Sequence, residues 1–288
     1  MVDIPRGLSY DDVLLTPKRS PVDSRQDVEL DTHLHGLNLG NPLLSAPMDT
    51  VTETEMAVAL GESGGMGTIH RFMGIEEQAE QVMEVKRGDV LVGAAIGIDE
   101  DYHERAEKVR GAGADALMVD VAHAHLEKSL EAVSELSSAF PDTTLIAGNV
   151  ATQKGVRDLD KAGADVVKVG VGPGSHCTTR EVTGVGVPQF TAVDRCADEA
   201  RVRDVEIIAD GGIRSSGDAV KALMAGANAV MMGSFFMGTD ESPGDVQKTA
   251  DGERVKITRG MASEEANDER TDKEIDPTVE EGVVQQTP

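Results

Sequence analysis

An eleven-residue pattern occurs three times in this chain and limits the folds that it can form. Residues 112–122, 162–172 and 225–235 read AGADALMVDVA, AGADVVKVGVG and AGANAVMMGSF. In each copy, the glycine suits the left-handed position that ends a helix, and an apolar run follows. The runs lack alternating polar residues, which is typical of parallel strands buried on both faces. The pattern therefore indicates helix-to-strand units that share one parallel sheet.

Apolar runs of this kind occur eight times, and we predict a strand at each. They span residues 43–48, 65–70, 91–97, 116–122, 144–150, 166–172, 206–212 and 229–235. Charged segments of helical periodicity separate them, for example 75–87 and 125–140. Eight strand–helix units predict an α/β fold, a (β/α)8 TIM barrel with its site at the carboxyl ends of the strands. The alternative is an open doubly wound sheet, which usually carries a GxGxxG turn after its first strand. No such turn follows residues 43–48.

The balance of charges restricts the partners of the protein. The chain has 27 Lys and Arg against 52 Asp and Glu, a net charge of −25. This charge repels phosphate backbones and argues against nucleic acid as a partner. Any phosphate site must be local and built largely from backbone amides. The acidic, aromatic-poor composition suggests a halophilic protein whose self-repulsion is screened by salt, with an ordinary acidic protein as the alternative.

Cysteine content and hydropathy indicate the compartment. The chain has two cysteines, Cys177 and Cys196, and no signal peptide or apolar run long enough to cross a bilayer. We therefore expect a cytoplasmic protein that makes no contact with membranes and forms no disulfide. Cys196 lies at helical spacing in AVDRCADEA and is interpreted as a packing residue.

The segment 168–191, KVGVGPGSHCTTREVTGVGVPQFT, carries the strongest functional signal. A strand that ends in Gly-Pro-Gly exposes backbone amides, and the thiol of Cys177 follows, where it could attack an electrophilic carbon. A buried, unreactive cysteine is the alternative. The strings GPGSHCTTR and TGVGVPQ resemble the active-site loop of the IMP dehydrogenase/GMP reductase family. The resemblance extends from LSYDDVLLTP (8–17) to EEGV (280–283).

The resemblance implies a reaction at C2 of a purine nucleotide, IMP or GMP, through a covalent thioimidate. It makes Cys177 the nucleophile, and the amide-rich loop would favour its thiolate. Thr179 would orient the water or the leaving group, and Glu281 would be a catalytic glutamate. The family forms homotetramers, for which the apolar loop FFMG (235–238) offers contacts.

The resemblance also assigns binding residues at the strand ends. Nucleotide contacts are expected from Met48, Ser175, Asp210, Gly212, Gly233, Ser234 and Met261. Asp210 would accept both ribose hydroxyls, and the two methionines would contact the base. The phosphate residues also match the usual phosphate site of such barrels, although their glycines could be simple turn residues.

A nicotinamide cofactor, NAD or NADP, is expected beside Asp120 and Asn149. A potassium ion is expected on the backbone carbonyls of Gly172, Gly174 and Cys177. His123 and His125 invite a metal interpretation, but histidines two apart do not share a helix face, and no nearby motif completes a ligand set.

The C-terminal part differs from the barrel. We expect a catalytic domain at 1–238 and a flap region with an acidic tail at 239–288, including a weak hairpin at 246–257. A disordered acidic tail is the alternative. VKRGD (85–89) runs directly into the third strand, which leaves no room for the CBS pair that many family members carry there.

The direction of the reaction remains open. The strings DVAHAH, AGNVAT and GVGVPQ favour IMP dehydrogenase, our leading hypothesis. The flap favours GMP reductase, because Arg270-Thr271 is the nearest match to an Arg-Tyr pair and Thr258 replaces a phosphate-binding tyrosine. Two other classes are a non-catalytic barrel that binds purine nucleotides and an aldolase. The aldolase would need Lys168 as a Schiff-base lysine.

Overall fold

Eight parallel strands close into a barrel. The structure is a computed structural model that describes residues 6–249, 251, 253–261, 263 and 282–287. An antiparallel hairpin of β1 (Thr32–Leu34) and β2 (Leu37–Leu39) precedes the barrel. The barrel strands are β3 (Leu43–Ser45), β4 (Met66–Ile69), β5 (Val92–Ile96), β6 (Ala116–Asp120), β7 (Thr144–Val150), β8 (Val166–Val169), β9 (Glu206–Asp210) and β10 (Ala229–Met232).

The pairing of the strands confirms the predicted TIM barrel. The last strand, β10, pairs in parallel with both β9 and β3, so that the sheet has no free edge and cannot be an open doubly wound sheet. Each strand lies within one of the eight predicted runs, but several end earlier. For example, β9 ends at Asp210, because Gly211 and Gly212 have φ values of 87° and 75° and leave the extended region.

Helices connect the strands as the periodicity predicts. They are α1 (Thr54–Glu62), α2 (Ile75–Lys86), α3 (Tyr102–Gly111), α4 (Glu127–Ala139), α5 (Gln153–Ala162), α6 (Thr179–Thr183), α7 (Gln189–Arg203) and α8 (Ser216–Met224). The repeated glycines Gly113, Gly163 and Gly226 have φ values of 105°, 98° and 110°, as expected for helix ends. Among the described residues, no helix has the length and apolar character needed to span a membrane.

The barrel is closed at the amino ends of its strands by the N-terminal hairpin. Leu34, Leu37 and Leu39 of the hairpin pack into the interior cluster with strand residues such as Met118 and Ile208. Hydrogen bonds from Thr32 to the carbonyl of Asn228 and from Thr144 to the carbonyl of His35 fix the hairpin at strand beginnings. The opposite end of the barrel is where a ligand can enter, as is usual for this fold.

A small antiparallel sheet follows the barrel, and we call it the C-terminal sheet. It consists of β11 (Gln247–Lys248), β12 (Arg254–Arg259) and β13 (Val284–Thr287), with β12 in the centre. The predicted hairpin at 246–257 is confirmed by the pairing of Gln247 with Val255. Strand β13 was not expected from the sequence, because only its pairing with β12 identifies it.

Candidate active site

A cavity of about 240 Å³ lies at the carboxyl ends of the strands. Three residues assigned to phosphate binding, Ser175, Gly212 and Ser234, line it. Arg180 and Arg214 line it as well, and the guanidinium of Arg214 is paired there with the carboxylate of Asp11. The arginines and the Ser9–Asp11 part of the lining had no role in the sequence analysis, although LSYDDVLLTP was part of the resemblance. An anion site at this position suits the donors that surround it.

The two cysteines occupy opposite environments. The Sγ of Cys177 lies 3.0 Å from the Oγ1 of Thr179, and the residue is partly accessible. Cys196 is fully buried, and burial raises the pKa of its thiol to about 12. Its interpretation as a packing residue is therefore confirmed. Of the two thiols, only that of Cys177 stands next to a hydroxyl in an accessible loop.

Arg180 braces the loop that carries Cys177. Its Nε donates to the carbonyl of Val171 at 3.1 Å, and its Nη2 donates to the carbonyl of Val187 at 2.6 Å. A Cβ on Gly172 or Gly186 would lie 2.7 or 2.8 Å from the nearest Arg180 side-chain atom, which explains why both neighbours are glycine. Burial lowers the pKa of Arg180, and the nearby Cys177 opposes that shift. The arginine of CTTR thus holds both ends of the loop together.

Lys168 joins three residues that the sequence assigned to two different ligands. Its Nζ lies 2.6 Å from the Oδ1 of Asp120 and 2.6 Å from the Oδ2 of Asp210, and it also bonds the Oδ1 of Asn149. The amide of Asn149 donates to the same Asp210 oxygen at 2.9 Å. The ribose acceptor and the two cofactor residues therefore form one cluster around a lysine that is 3% exposed.

The partners of Lys168 stabilise its protonated form. Burial by itself lowers the pKa of Lys168, but the charges of Asp120 and Asp210 and their hydrogen bonds outweigh it and raise the pKa. A Schiff base requires a neutral amine, whereas this one stays protonated. The environment of Lys168 therefore disfavours the aldolase alternative and indicates a structural charge at the centre of the site.

An ion pair connects the barrel to the C-terminal sheet beside the two methionines assigned to the base. The Oδ2 of Asp49 accepts from the Nε of Arg259 at 2.9 Å and from its Nη2 at 2.5 Å. Asp49 follows Met48, and Arg259 comes two residues before Met261, so the pair joins the segments that carry both methionines. The Sδ of Met48 lies 3.1 Å from the position of a Cβ on Gly233, so that a side chain at position 233 would require Met48 to shift.

Comparison with known proteins identifies the family. The profile of the IMP dehydrogenase/GMP reductase domain matches residues 7–288. The chain belongs to the IMP dehydrogenase/GMP reductase family. It is 37% identical to the inosine-5'-monophosphate dehydrogenase of Nitrosopumilus maritimus, over 95% of this chain and 83% of that protein. The inosine-5'-monophosphate dehydrogenase of Staphylococcus saprophyticus is 37% identical, over 89% of this chain and 78% of that protein. The inosine-5'-monophosphate dehydrogenase of Halalkalibacterium halodurans is 36% identical, over 89% of this chain and 79% of that protein.

The alignments with these relatives are longer than this chain. The alignment with the Nitrosopumilus protein extends over 398 positions, whereas this chain has 288 residues. That relative therefore contains inserted residues that have no counterpart in this chain. In the structure, residues 87–91 alone join α2 to β5, the position at which no CBS pair was expected.

His176 is the unassigned position within the family's loop motif, and the structure gives it contacts that the sequence did not indicate. Its Nδ1 lies 3.1 Å from the Oγ of Ser175, and its Nε2 lies 2.9 Å from the Oγ1 of Thr258 on β12. Thr258 is the position at which the resemblance leads one to expect a tyrosine. Burial lowers the pKa of His176, which favours the neutral imidazole. No pattern in the sequence pairs His176 with Thr258, because the two residues are far apart along the chain.

Some of the remaining assigned residues lie outside the part of the chain that the structure describes, and others lie within it. Glu281, Arg270 and Thr271 lie outside the described residues. The Nε2 of His125 pairs with Asp158 at 2.9 Å, and no group of three metal-ligating side chains occurs within the described part of the chain. In the loop assigned to potassium, the carbonyl of Gly174 accepts from the amide of Cys177 at 3.2 Å, and Gly172 has a φ of 69°.

Proposed function

We propose that this protein is an IMP dehydrogenase. The observation that carries the proposal is the pairing of Cys177 with Thr179 at 3.0 Å, beside a cavity lined by Ser175, Gly212 and Ser234. The three relatives described above are named inosine-5'-monophosphate dehydrogenases, which favours this direction over the reductase.

The proposed reaction assigns a task to each residue. The Cys177 thiolate attacks C2 of IMP, and C2 then loses a hydride, for which NAD⁺ supplies the acceptor. The remaining thioimidate adds water, which Thr179 orients, and the thiolate leaves as XMP forms. The cavity donors bind the 5'-phosphate, and Lys168 holds Asp210 towards the ribose and Asp120 and Asn149 towards the cofactor.

The decisive experiment measures both directions with the same preparation. Purified protein in molar KCl receives IMP with NAD⁺, and separately GMP with NADPH, while the absorbance of the reduced cofactor is followed. The dehydrogenase proposal expects turnover in the first mixture, and parallel assays with NADP⁺ define the cofactor. Turnover confined to GMP and NADPH would establish GMP reductase, the alternative favoured by Thr258 and by the absence of an Arg-Tyr pair at 270–271.

Glu281 separates the two enzymes further. In a reductase, a carboxylate must transfer the proton that allows ammonia to leave the base. Glu281→Gln should therefore reduce GMP turnover roughly 100-fold or more. In a dehydrogenase, the glutamine can still hydrogen-bond the base, and the loss should be milder. Equal rates for the variant and the wild type in both mixtures would remove Glu281 from the proposed site.

A non-catalytic nucleotide-binding barrel makes a different prediction for the same protein. IMP would raise the melting temperature, but neither mixture would change the amount of reduced cofactor. The Cys177→Ala variant provides the comparison, because it should bind IMP without turnover in every version of the proposal.

Further properties complete the proposal. Potassium would be held by carbonyls of the Gly172–Cys177 loop, and replacing KCl by NaCl at equal ionic strength should lower turnover.

The two free cysteines fit a reducing cytoplasm. Phe235, 49% exposed, supports a homotetramer with contacts at residues 235–238, which light scattering would test. We place the catalytic barrel at 1–238 and the flap region with its tail at 239–288.

A further inference from the structure

A line of side-chain hydrogen bonds runs from the cavity into the C-terminal sheet. It begins at Ser175, which lines the cavity, passes through both nitrogens of His176 and reaches Thr258. The Oγ1 of Thr258 lies 2.7 Å from the Oγ1 of Thr287 and 3.3 Å from the carbonyl of Gln285. His176 and Thr258 are 5% and 1% exposed, so that solvent does not compete for the bond between them, whereas Ser175 at the cavity end of the line is exposed. The line is therefore a continuous connection between the cavity and the C-terminal sheet, and its central bond is buried.

A neutral imidazole allows this line only two directions. In the first, the Ser175 hydroxyl donates to Nδ1, Nε2–H donates to Thr258, and Thr258 donates to the carbonyl of Gln285. In the second, Nδ1–H donates to Ser175 and Nε2 accepts from Thr258, which then accepts from Thr287. Only the second direction leaves the hydrogen of Ser175 available to a ligand in the cavity. Its cost is the loss of the 3.3 Å bond to Gln285, which is long and weak.

We propose that His176 is a positioning residue that couples occupancy of the phosphate cradle to the C-terminal sheet. An anion that accepts from Ser175 selects the second direction, and the change extends through His176 to Thr258 on β12 and to its neighbours on β13. The inference rests on the proposed function for the identity of the anion, the 5'-phosphate of a purine nucleotide.

Backbone bonds run beside the side-chain line and support the coupling. The amide of Val283 donates to the carbonyl of His176 at 3.0 Å, and the amide of Gly260 donates to the carbonyl of Val283 at 3.1 Å. Cys177 and Gly282 form an antiparallel bridge. The residue that follows His176 is the proposed nucleophile, and these backbone bonds hold its segment against the sheet in either direction of the side-chain line.

Thr258 offers a matched pair of variants. Thr258→Val keeps the shape of the side chain but removes the hydroxyl, whereas Thr258→Ser keeps the hydroxyl. We expect Thr258→Val to raise the KM for IMP about threefold to tenfold, the range of one neutral hydrogen bond, with kcat changed less than twofold. Thr258→Ser and the control Thr287→Val, which leaves the line from Ser175 to Thr258 intact, should stay close to wild type. Inhibition by inosine, which lacks the phosphate, should be the same in all four proteins.

A double-variant cycle tests whether the effect acts through Ser175. In a Ser175→Ala background, Thr258→Val should cause no further loss of IMP affinity, because the hydroxyl that the line orients is already absent. Additive losses, an unchanged KM in Thr258→Val, or equal weakening of inosine and IMP would each overturn the proposal and leave a packing role.

Hydrogen exchange provides a measurement that does not require turnover. IMP should change the rate of amide exchange at residues 284–287 in the wild type and in Thr258→Ser, but not in Thr258→Val. If IMP does not change the amide exchange of these residues in the wild type, the coupling is overturned. If the wild type binds IMP without oxidising it, only the dehydrogenase proposal is refuted. The double-variant cycle of Ser175 and Thr258 would then be measured with the Kd for IMP. A wild type that turns over while Thr258→Val matches it would refute the coupling alone.

Discussion

At the scale of single residues, the site depends on environment as much as on residue type. Cys177 and Cys196 have the same thiol, but one stands beside Thr179 in an accessible loop and the other is completely buried. Burial raises the pKa of Cys196 to about 12, which suppresses its thiolate at physiological pH. Reactivity should therefore distinguish the two cysteines without any assumption about the substrate.

We predict that iodoacetamide labels Cys177 in the native protein and leaves Cys196 unmodified until the chain unfolds. Peptide mass spectrometry after timed labelling measures both rates, and IMP should slow the labelling of Cys177. The Cys196→Ala variant serves as the control, since it should keep both the labelling of Cys177 and the turnover. Native labelling of both cysteines at similar rates, without protection by IMP, would contradict the assigned nucleophile.

Lys168 provides a second prediction at this scale. Lys168→Met leaves the carboxylates of Asp120 and Asp210 close together without their cation, and breaking a buried pair costs about 3–5 kcal/mol of unfolding free energy. The two carboxylates raise the pKa of Lys168, so that the wild type keeps this charge at neutral and mildly acidic pH and the loss should be present at both. Denaturant unfolding at neutral and mildly acidic pH measures this loss.

The control for Lys168 changes the same charge at the surface. Lys161 is exposed on α5, and Lys161→Met should alter the unfolding free energy by no more than about 0.5 kcal/mol at either pH. Similar losses for both variants would show that net charge, rather than the cluster, accounts for the effect.

At the scale of elements, the C-terminal sheet is held against the active-site loop by a close backbone approach. Gly260 follows β12, and a Cβ there would lie 2.6 Å from the carbonyl oxygen of His176 and 3.2 Å from the Cα of Gly282. Neither contact is with a flexible side chain that could move away. Glycine at this position is therefore a condition for the sheet and the loop to meet.

We predict that Gly260→Ala separates the sheet from the loop and lowers kcat/KM for IMP about tenfold or more. Overpacking of this kind typically costs about 1–3 kcal/mol, which is the same scale. Gly111→Ala is the matched control, because no atom lies within 4 Å of its Cβ position and it ends α3. That variant should be as active as the wild type and equally or slightly more stable. Full activity of Gly260→Ala would contradict the role given to this contact.

At the scale of the whole molecule, the net charge of −25 is the dominant property. Many of the charged side chains that form ion pairs lie at the surface, where each pair contributes little to stability. Repulsion among the excess carboxylates is screened over about 10 Å at 0.1 M salt, but over about 30 Å at 0.01 M. The folded state should therefore be weakest in dilute buffer.

We predict that the melting temperature rises steadily from dilute buffer to molar KCl, and that NaCl has the same effect at equal ionic strength. Differential scanning calorimetry measures the transition, and sucrose at matched osmolality separates screening from preferential exclusion. A melting temperature that does not depend on salt would show that the acidic surface is not an adaptation to it. If NaCl restores stability but not turnover, the two experiments together assign a separate role to potassium.

The sequence by itself determined the barrel and the centre of the active-site loop. Strand periodicity and helix-ending glycines are local properties, so that eight strands could be counted before any contact was known. Cys177 and Thr179 are two residues apart, and their proximity follows from the motif. The early ends of the strands were missed, because backbone angles such as those of Gly211 and Gly212 do not appear in an apolar run.

Only the tertiary structure decided which distant residues meet. Lys168 contacts Asp120 and Asp210, which are 48 and 42 residues away, because barrel closure brings the ends of separate strands together. His176 meets Thr258 across 82 residues, and β13 exists as a strand only beside β12. Contacts of this kind depend on the packing of whole elements, whose positions are not encoded in the neighbouring residues of either partner. The chemistry of the loop is therefore local in the sequence, whereas the support that orients it is a property of the folded molecule.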